Sequence, residues 1–291
     1  MAIIPLDQRN GYIWMNGEFI EWQKAQIHIL THSLHYSGAV YEGIRSYDQK
    51  IFKLKEHLER LFASAATLKY QPNCSIAEMS HAATKLLTLN NQQNSYIRPL
   101  IWRGSESLRI NSSMLSINAM IACWEVGSVE SRRESFNIVV TNWLKAHPGS
   151  LPPNCKSSAH YQISSLAQQE AIDEGYDDVL MLDYRGYIAE GAVANIFFVE
   201  NNKLITPIAD SALEGITRST IIELAKNMGI ETEERRIIPE DLPGFSECFM
   251  TGTAVEVKPV TSITQGGNKI QYNNDIITSK LVKAYGELVR K

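Results

Sequence analysis

Apolar positions along the 291-residue chain change period several times, and each change marks an element. Residues 12 to 30 read as short strands around Asn16-Gly17, a dipeptide that favours a tight hairpin turn. Tyr41 to Ser46 and Lys50 to Leu54 read as a further strand pair around Asp48-Gln49. Leu54, Leu58, Leu61, Phe62, Ala65 and Leu68 then recur at helical spacing, which predicts a helix over 54 to 69 with its leucine face on a sheet. A second helix is predicted from Ile76 to Leu89, followed by strands Ser95 to Trp102 and Ser116 to Glu125. Val126 to Ser135 is polar and without period, the best linker in the chain. Beyond it come strands at Phe136 to Trp143, Asp178 to Asp183, Tyr187 to Val199 and Leu204 to Thr206, with turns at Arg185-Gly186 and Asn201-Asn202. A helix carrying Ile163, Leu166, Ala167 and Ala171 ends at Gly175, and another runs from Ser219 to Met228 before Gly229. Glu231 to Ile238, Cys248 to Met250 and Val257 to Ile263 are the last strands, and Ile276 to Val289 the last helix.

Strand meanders with segregated helices predict an α+β fold rather than a doubly wound sheet. The pattern divides into a small N-terminal α+β domain over 1–125, a linker over 126–135 and a larger C-terminal domain over 136–291. Trp124 and Trp143 flank the linker, placed either to close a cleft or to fill a core. Composition adds little to this picture: 44% hydrophobic and 21% charged residues are ordinary globular values. A net charge of −4 offers no basic footprint for nucleic acid, and no basic cluster points to a membrane surface. With no apolar run near the ~20 residues of a membrane span and no leader-like N-terminus, the expectation is a cytoplasmic protein acting on small molecules. The four cysteines, at 74, 123, 155 and 248, have neither metal-ligand nor disulfide spacing. His28, His32 and His35 lack a second ligand group, so no metal site is expected.

The candidate chemistry centres on Asn154-Cys-Lys-Ser-Ser-Ala-His-Tyr161, which sets Lys156 among small neighbours at or just before a helix start. Pro152 and Pro153 hold the approach extended. A helix N-terminus disfavours positive charge, so a lysine there is a candidate nucleophile able to form a Schiff base with an aldehyde; the alternative is a solvated surface lysine. Downstream, Glu190 and Asn195 interrupt an apolar strand, and a buried carboxylate requires a cationic or hydrogen-bonding partner. A protonated ring nitrogen would serve; so would a plain β-bulge, with Gly191 supplying the freedom. Leu213-Glu-Gly-Ile-Thr-Arg opens a helix as a phosphate site would, or as a threonine cap would. Thr251-Gly-Thr-Ala could add a hydroxyl and more N–H donors.

Lys156 with Tyr161, Ala189-Glu190-Gly191 with Asn195, Gly215-Ile216-Thr217-Arg218 and Thr251-Gly252-Thr253-Ala254 resemble the motifs of branched-chain amino-acid aminotransferases, enzymes of pyridoxal phosphate (PLP) fold type IV. The N-terminal half adds His35-Tyr36-Ser37-Gly38, Tyr41-Glu42-Gly43-Ile44-Arg45, Glu56-His57-Leu58-Glu59-Arg60-Leu61 and Tyr96-Ile97-Arg98-Pro99-Leu100, in the family's order. Ala189 replaces a residue that is often serine in the family, and the segment Trp124 to Ser128 departs from its usual pattern. The resemblance implies a two-domain α+β fold, related to D-amino-acid aminotransferase, with PLP between the domains and the C-terminal domain binding it. It also implies a ping-pong transfer from leucine, isoleucine or valine to 2-oxoglutarate. Lys156 would be the Schiff-base lysine and general base, and Glu190 the partner of the pyridine nitrogen with Asn195 beside it. Tyr161 would bond the phenolic oxygen; Arg60, Gly215, Ile216, Thr217 and Thr253 would hold the phosphate. Tyr96, Thr253 and Ala254 would receive the substrate carboxylate, Tyr36, Tyr41, Gly43 and Trp124 its side chain, and Arg98 the side-chain carboxylate of glutamate. A homo-oligomer is implied, a dimer or a dimer-based hexamer. D-amino-acid aminotransferase and aminodeoxychorismate lyase share Lys156 and Glu190, so those two residues cannot choose, while Tyr96-Ile97-Arg98-Pro99 and Glu42-Gly43-Ile44-Arg45 favour the branched-chain reading; a non-catalytic PLP-binding module would keep the phosphate cradle without needing a base, and Lys156 argues against it.

Overall fold

The computed structural model describes residues 4–111, 113–126 and 135–291. They fall into two compact units, Met1–Ser128 with Cys155–Ala159, and Val129–Asn154 with His160–Lys291. Residues 127–134 of the expected linker lie outside the described residues. The short segment that carries Lys156 therefore groups with the first unit, although it follows the start of the second in the chain.

The first unit opens with β1 (Tyr12–Met15) and β2 (Glu18–Glu21), paired around Asn16 and Gly17. Both turn residues have positive φ, 51° and 98°, the backbone that a tight hairpin needs and that Asn-Gly tolerates. A short helix α1 (His32–Tyr36) leads to β3 (Ala39–Tyr41), β4 (Ile44–Tyr47) and β5 (Lys50–Ile51). The single strand expected over Tyr41 to Ser46 is thus broken at Glu42-Gly43, with β3 and β4 both pairing with a third strand. Helices α2 (Leu54–Thr67) and α3 (Ile76–Leu89) follow, the second opened by a Ser75–Glu78 capping box. Strands β6 (Ser95–Arg103) and β7 (Ile117–Glu125) complete an antiparallel sheet in the order β2-β1-β7-β6-β4-β5, with β3 on β6. Leu58, Leu61 and Ala65 of α2 and Met79, Ala82, Leu86 and Leu87 of α3 bury against Ile44, Ile97, Ile101 and Ile121 of the sheet. That packing divides β6 by its period of two: Ser95, Ile97, Pro99 and Ile101 are buried, while Tyr96, Arg98 and Leu100 alternate with them and remain partly accessible.

The second unit is built on a mixed sheet. Its elements are β8 (Phe136–Leu144), α4 (Tyr161–Asp173), β9 (Asp178–Leu182), β10 (Ile188–Gly191), β11 (Asn195–Glu200), β12 (Lys203–Pro207), α5 (Ile216–Asn227), β13 (Thr232–Arg235), β14 (Glu247–Gly252), β15 (Glu256–Gln265), β16 (Asn268–Gln271) and α6 (Ile276–Leu288). The strand order is β10-β9-β8-β15-β14-β11-β12-β13, with β16 on β15. Its core joins Ile138, Leu180, Ile196, Phe198, Met250 and Ile263, and α4 packs through Ala167 and Ala171 onto Val179 and Met181. The strand expected over Tyr187 to Val199 is two strands, β10 and β11, separated by Ala192 to Ala194, and β10 has a register shift between Ile188 and Glu190. β16 carries a weaker apolar pattern, Asn-Lys-Ile-Gln, and has no counterpart in the sequence expectation. Among the described residues no helix is long and apolar enough to cross a membrane.

Candidate active site

In the first unit Lys156 is fixed by its backbone. Its N–H donates to Ser64 Oγ at 3.0 Å, its carbonyl accepts from Tyr41 N at 3.2 Å, and Val40 pairs with Ser157 as an isolated bridge. Cys155, one residue before, is buried in the helix-sheet core. Both flanks are pinned, leaving the side chain to project; its Nζ lies 5.2 Å from the Tyr41 ring centroid. The helix expected to begin beside Lys156 starts later, at Tyr161, after a single turn of 3₁₀ helix over Ser158–His160. The dipole effect fades within the first turn, so it is Ser64 and Tyr41, not α4, that set the surroundings of this lysine.

On the accessible face of β6 the structure brings together Tyr41, Gly43, Tyr96, Arg98 and Trp124. Arg98 lies 4.5 Å from the Tyr41 ring and 5.4 Å from the Tyr96 ring, and its Nη2 donates to the Tyr96 hydroxyl at 3.2 Å. Its Nε is buried with no hydrogen-bond partner among the described residues. Tyr96 also packs on Trp124, its cross-strand neighbour, at 5.1 Å between centroids. Gly43 makes room for this group, since a Cβ there would collide with the Tyr96 hydroxyl. Tyr36 is not part of the group: it is exposed on α1, its hydroxyl donates to Leu108 O at 2.9 Å, and its ring contacts are His32 and His35.

Beneath Tyr41, Glu42 is fully buried and receives Arg60 in a fork, Nε to Oε1 at 2.7 Å and Nη2 to Oε2 at 2.9 Å. His57 Nδ1 bonds Oε2 at 2.8 Å. Burial alone would raise the Glu42 carboxyl, but the hydrogen bonds from His57 and Arg60 outweigh it and hold the group at about 2. Burial pushes His57 down, opposed in part by Glu42, so the imidazole is neutral and the Arg60–Glu42 pair carries the charge. Sequence reasoning placed Arg60 without this anchor; the signal was the Glu42-Gly43 break in the strand pattern. A carboxyl lowered from 4.5 to about 2 adds stability that is complete above pH 4.5 and lost as pH falls through 2. The stability advantage of the native chain over Glu42→Gln is therefore expected to shrink by about 3 kcal/mol over that window, as measured by urea unfolding at stepped pH. An advantage that does not change with pH would show that the ionised carboxylate is not what Arg60 and His57 require.

In the second unit Glu190 and Asn195 come together across β10 and β11. Asn195 Nδ2 donates to Glu190 Oε2 at 3.3 Å and to Leu213 O at 2.8 Å, tying the carboxylate to the loop that precedes α5. Gly215 approaches the same amide so closely that a Cβ there would collide with Asn195 Oδ1. Gly215 is the N-cap of α5 and supplies no side-chain cap, which excludes the threonine-capped alternative and leaves first-turn N–H groups at Ile216 and Thr217 for an anion. Arg218 turns away, donating to Pro207 O and Glu234. Thr251 is likewise occupied, its hydroxyl on Glu256 O, and its neighbours Thr253 and Ala254 lie in the turn between β14 and β15. Tyr161 is the first residue of α4. The bulge reading of Glu190 holds, since the register shifts there, and the carboxylate has a cationic partner within the chain, its Oε1 lying 2.7 Å from Lys145 Nζ. Lys145 escaped the sequence reading because it looks like the polar end of a strand. Only the order β8-β9-β10 brings it to Glu190.

The amino-transferase class IV model matches residues 39–263, and the chain belongs to that family. Among its relatives, the probable branched-chain-amino-acid aminotransferase of Rickettsia bellii is 49% identical, with 96% of each chain covered. The branched-chain-amino-acid aminotransferase of Pseudomonas aeruginosa is 38% identical over 98% of this chain and 95% of its own. A solved structure of the branched-chain amino acid aminotransferase of Escherichia coli superposes with a TM-score of 0.90 at 36% identity, covering 97% of this chain and 95% of that one.

Proposed function

We propose that this chain is a PLP-dependent aminotransferase that passes the amino group of leucine, isoleucine or valine to 2-oxoglutarate, giving branched-chain 2-oxo acids and L-glutamate by ping-pong half reactions. The observation that carries the substrate assignment is Arg98, an arginine with a buried unpartnered Nε set among aromatic rings. Such a group can pair with the carboxylate of a glutamate side chain, while the rings of Tyr41, Tyr96 and Trp124 offer an apolar surface to a branched one.

The donor set fits PLP. The uncapped start of α5, with Gly215 and the Ile216 and Thr217 N–H groups, suits a phosphate, with Thr253 and the Arg60 guanidinium as further donors. Glu190, 7% exposed, suits a ring N–H, with Asn195 orienting it, and Tyr161 suits the phenolic oxygen. When bound, the cofactor supplies the carbonyl that takes up the amino group and the ring that withdraws electrons from the carbon losing its proton. Lys156 would hold the cofactor through its amine, and that amine, when free, would take the substrate α-proton and later give it up again. Glu190 keeps the ring nitrogen protonated. Tyr96 and the Thr253-Ala254 backbone receive the α-carboxylate, and Tyr41, Gly43 and Trp124 shape the side-chain space.

A panel of L- and D-amino acids with 2-oxoglutarate tests this directly, with glutamate formation expected from L-leucine, L-isoleucine and L-valine. Turnover of the D series instead would replace the reading with the D-amino-acid enzyme. The same reading includes a homo-oligomer of at least two chains, supported by the exposed apolar side chains Ile29, Leu34, Ile110 and Met114. Sedimentation velocity of the active protein is expected to give a dimer or a multiple of it, and a fully active monomer would remove this part. A cytoplasmic location belongs to the proposal as well, supported by four free cysteines.

A further inference from the structure

Glu190 has more partners than its proposed task at the ring nitrogen requires. Its Oε1 is 2.7 Å from Lys145 Nζ, with both side chains 9% exposed, and its Oε2 accepts from Asn195 Nδ2 at 3.3 Å. Lys145 follows the last residue of β8, and its N–H donates to Leu182 O at 2.8 Å, so the base of the side chain is fixed by the sheet. A buried ammonium this close is neither a surface pair nor an accident of a long flexible side chain. Removing one partner of such a pair leaves the other charge uncompensated, and a buried carboxyl then takes up a proton.

We propose that Lys145 is a positioning residue for transamination: its ammonium holds Glu190 as a carboxylate, aimed by Oε1, so that Oε2 stays available to a cationic N–H. This deepens the reading of Glu190 given above and rests on it. The division of labour follows from the carboxylate's two oxygens. A neutral carboxylic acid at this position would offer an O–H in place of an acceptor, and a ring nitrogen facing it could shed its proton. Lys145 removes that option before any cofactor arrives, and Asn195, a neutral donor, cannot do so alone.

The apoprotein provides a readout independent of turnover. In infrared difference spectra near neutral pH, Lys145→Met is expected to show the carbonyl band of a protonated carboxyl that disappears in Lys145→Met/Glu190→Gln, while the native chain shows none. Lys145→Gln, which keeps a donor but loses the charge, is expected to show the same band and guards against a misfolded Met variant. Lys145→Arg is expected to abolish it. An ionised Glu190 in both Lys145→Met and Lys145→Gln would overturn the proposal.

The loaded protein then separates the two readings. At matched cofactor occupancy, the single-turnover half reaction with leucine is expected to fall roughly tenfold in Lys145→Met and Lys145→Gln, as when nine-tenths of a required carboxylate is protonated. Lys145→Arg should stay within about threefold of native, since it keeps the charge. A loss in Glu190→Gln with none in the Lys145 variants would overturn the role of Lys145 and leave that of Glu190. No loss in either would overturn the reading of Glu190 at the ring nitrogen, and the infrared result would then stand as a statement about burial alone.

Discussion

Lys156→Ala is expected to lower the rate of each half reaction by at least the roughly 10²–10⁴-fold that general acid–base groups contribute, with little change in fold. The second part follows from how the lysine is held. Its backbone bonds to Ser64 Oγ and from Tyr41 N use main-chain atoms that alanine retains. Cys155 stays in the core, and the bridge at Val40 and Ser157 does not involve the side chain. What alanine removes is the amine, which lies near the Tyr41 ring on the same unit as Arg98. Single-turnover rates with leucine and with glutamate should both fall, because the α-proton must move in either direction of transfer. Borohydride treatment of the loaded native protein, followed by peptide mapping, is expected to find the cofactor attached to the peptide containing Lys156. Attachment at any other lysine, or an alanine variant with native single-turnover rates, would remove Lys156 from the chemistry.

Elements with a strong local signal were legible from the chain. The helix over Ile76 to Leu89 is observed over those residues because a capping box starts it and its apolar face repeats at helical spacing. The Asn16-Gly17 and Asn201-Asn202 turns were legible because their residues tolerate positive φ, which the structure shows at all four positions. Illegible features depended on contacts remote in sequence. The strand expected over Tyr187 to Val199 looks continuous, since most of its length is apolar, yet Glu190 shifts the register and Ala192 to Ala194 divide it. Hydropathy does not record a bulge. The same holds for the site. Tyr96 and Arg98 share a face of β6 by simple alternation, so the sequence could pair them. Glu42 with Arg60 and Lys145 with Glu190 are pairs that need the topology: a helix laid over a broken strand in one case, and the order of three strands in the other.

The physical problem of an enzyme that takes both leucine and glutamate is to bury a carboxylate and an isobutyl group in the same place. An isolated carboxylate out of water costs far more than a methyl group gains there, so a cation must be present whose company an apolar chain can still tolerate. Arg98 meets both demands. Its planar group lies against Tyr41 and Tyr96, and it keeps donor capacity in reserve, with Nε buried and unpartnered and Nη2 donating to the neutral Tyr96 hydroxyl. A guanidinium that lacks a carboxylate partner at Nε gains one when glutamate enters and loses little when leucine does. Arg98→Ala is therefore expected to weaken the half reactions with glutamate and 2-oxoglutarate by about 2–5 kcal/mol, the scale for truncating one partner of a buried charge pair, which is roughly 30- to 5,000-fold in rate. Leucine's half reaction should change far less, although the Tyr96 hydroxyl loses a donor. Single-turnover rates for leucine and glutamate on one preparation decide the matter. Equal losses would assign Arg98 to holding Tyr41 and Tyr96 in place, and no loss with glutamate would mean that a different cation receives its side chain.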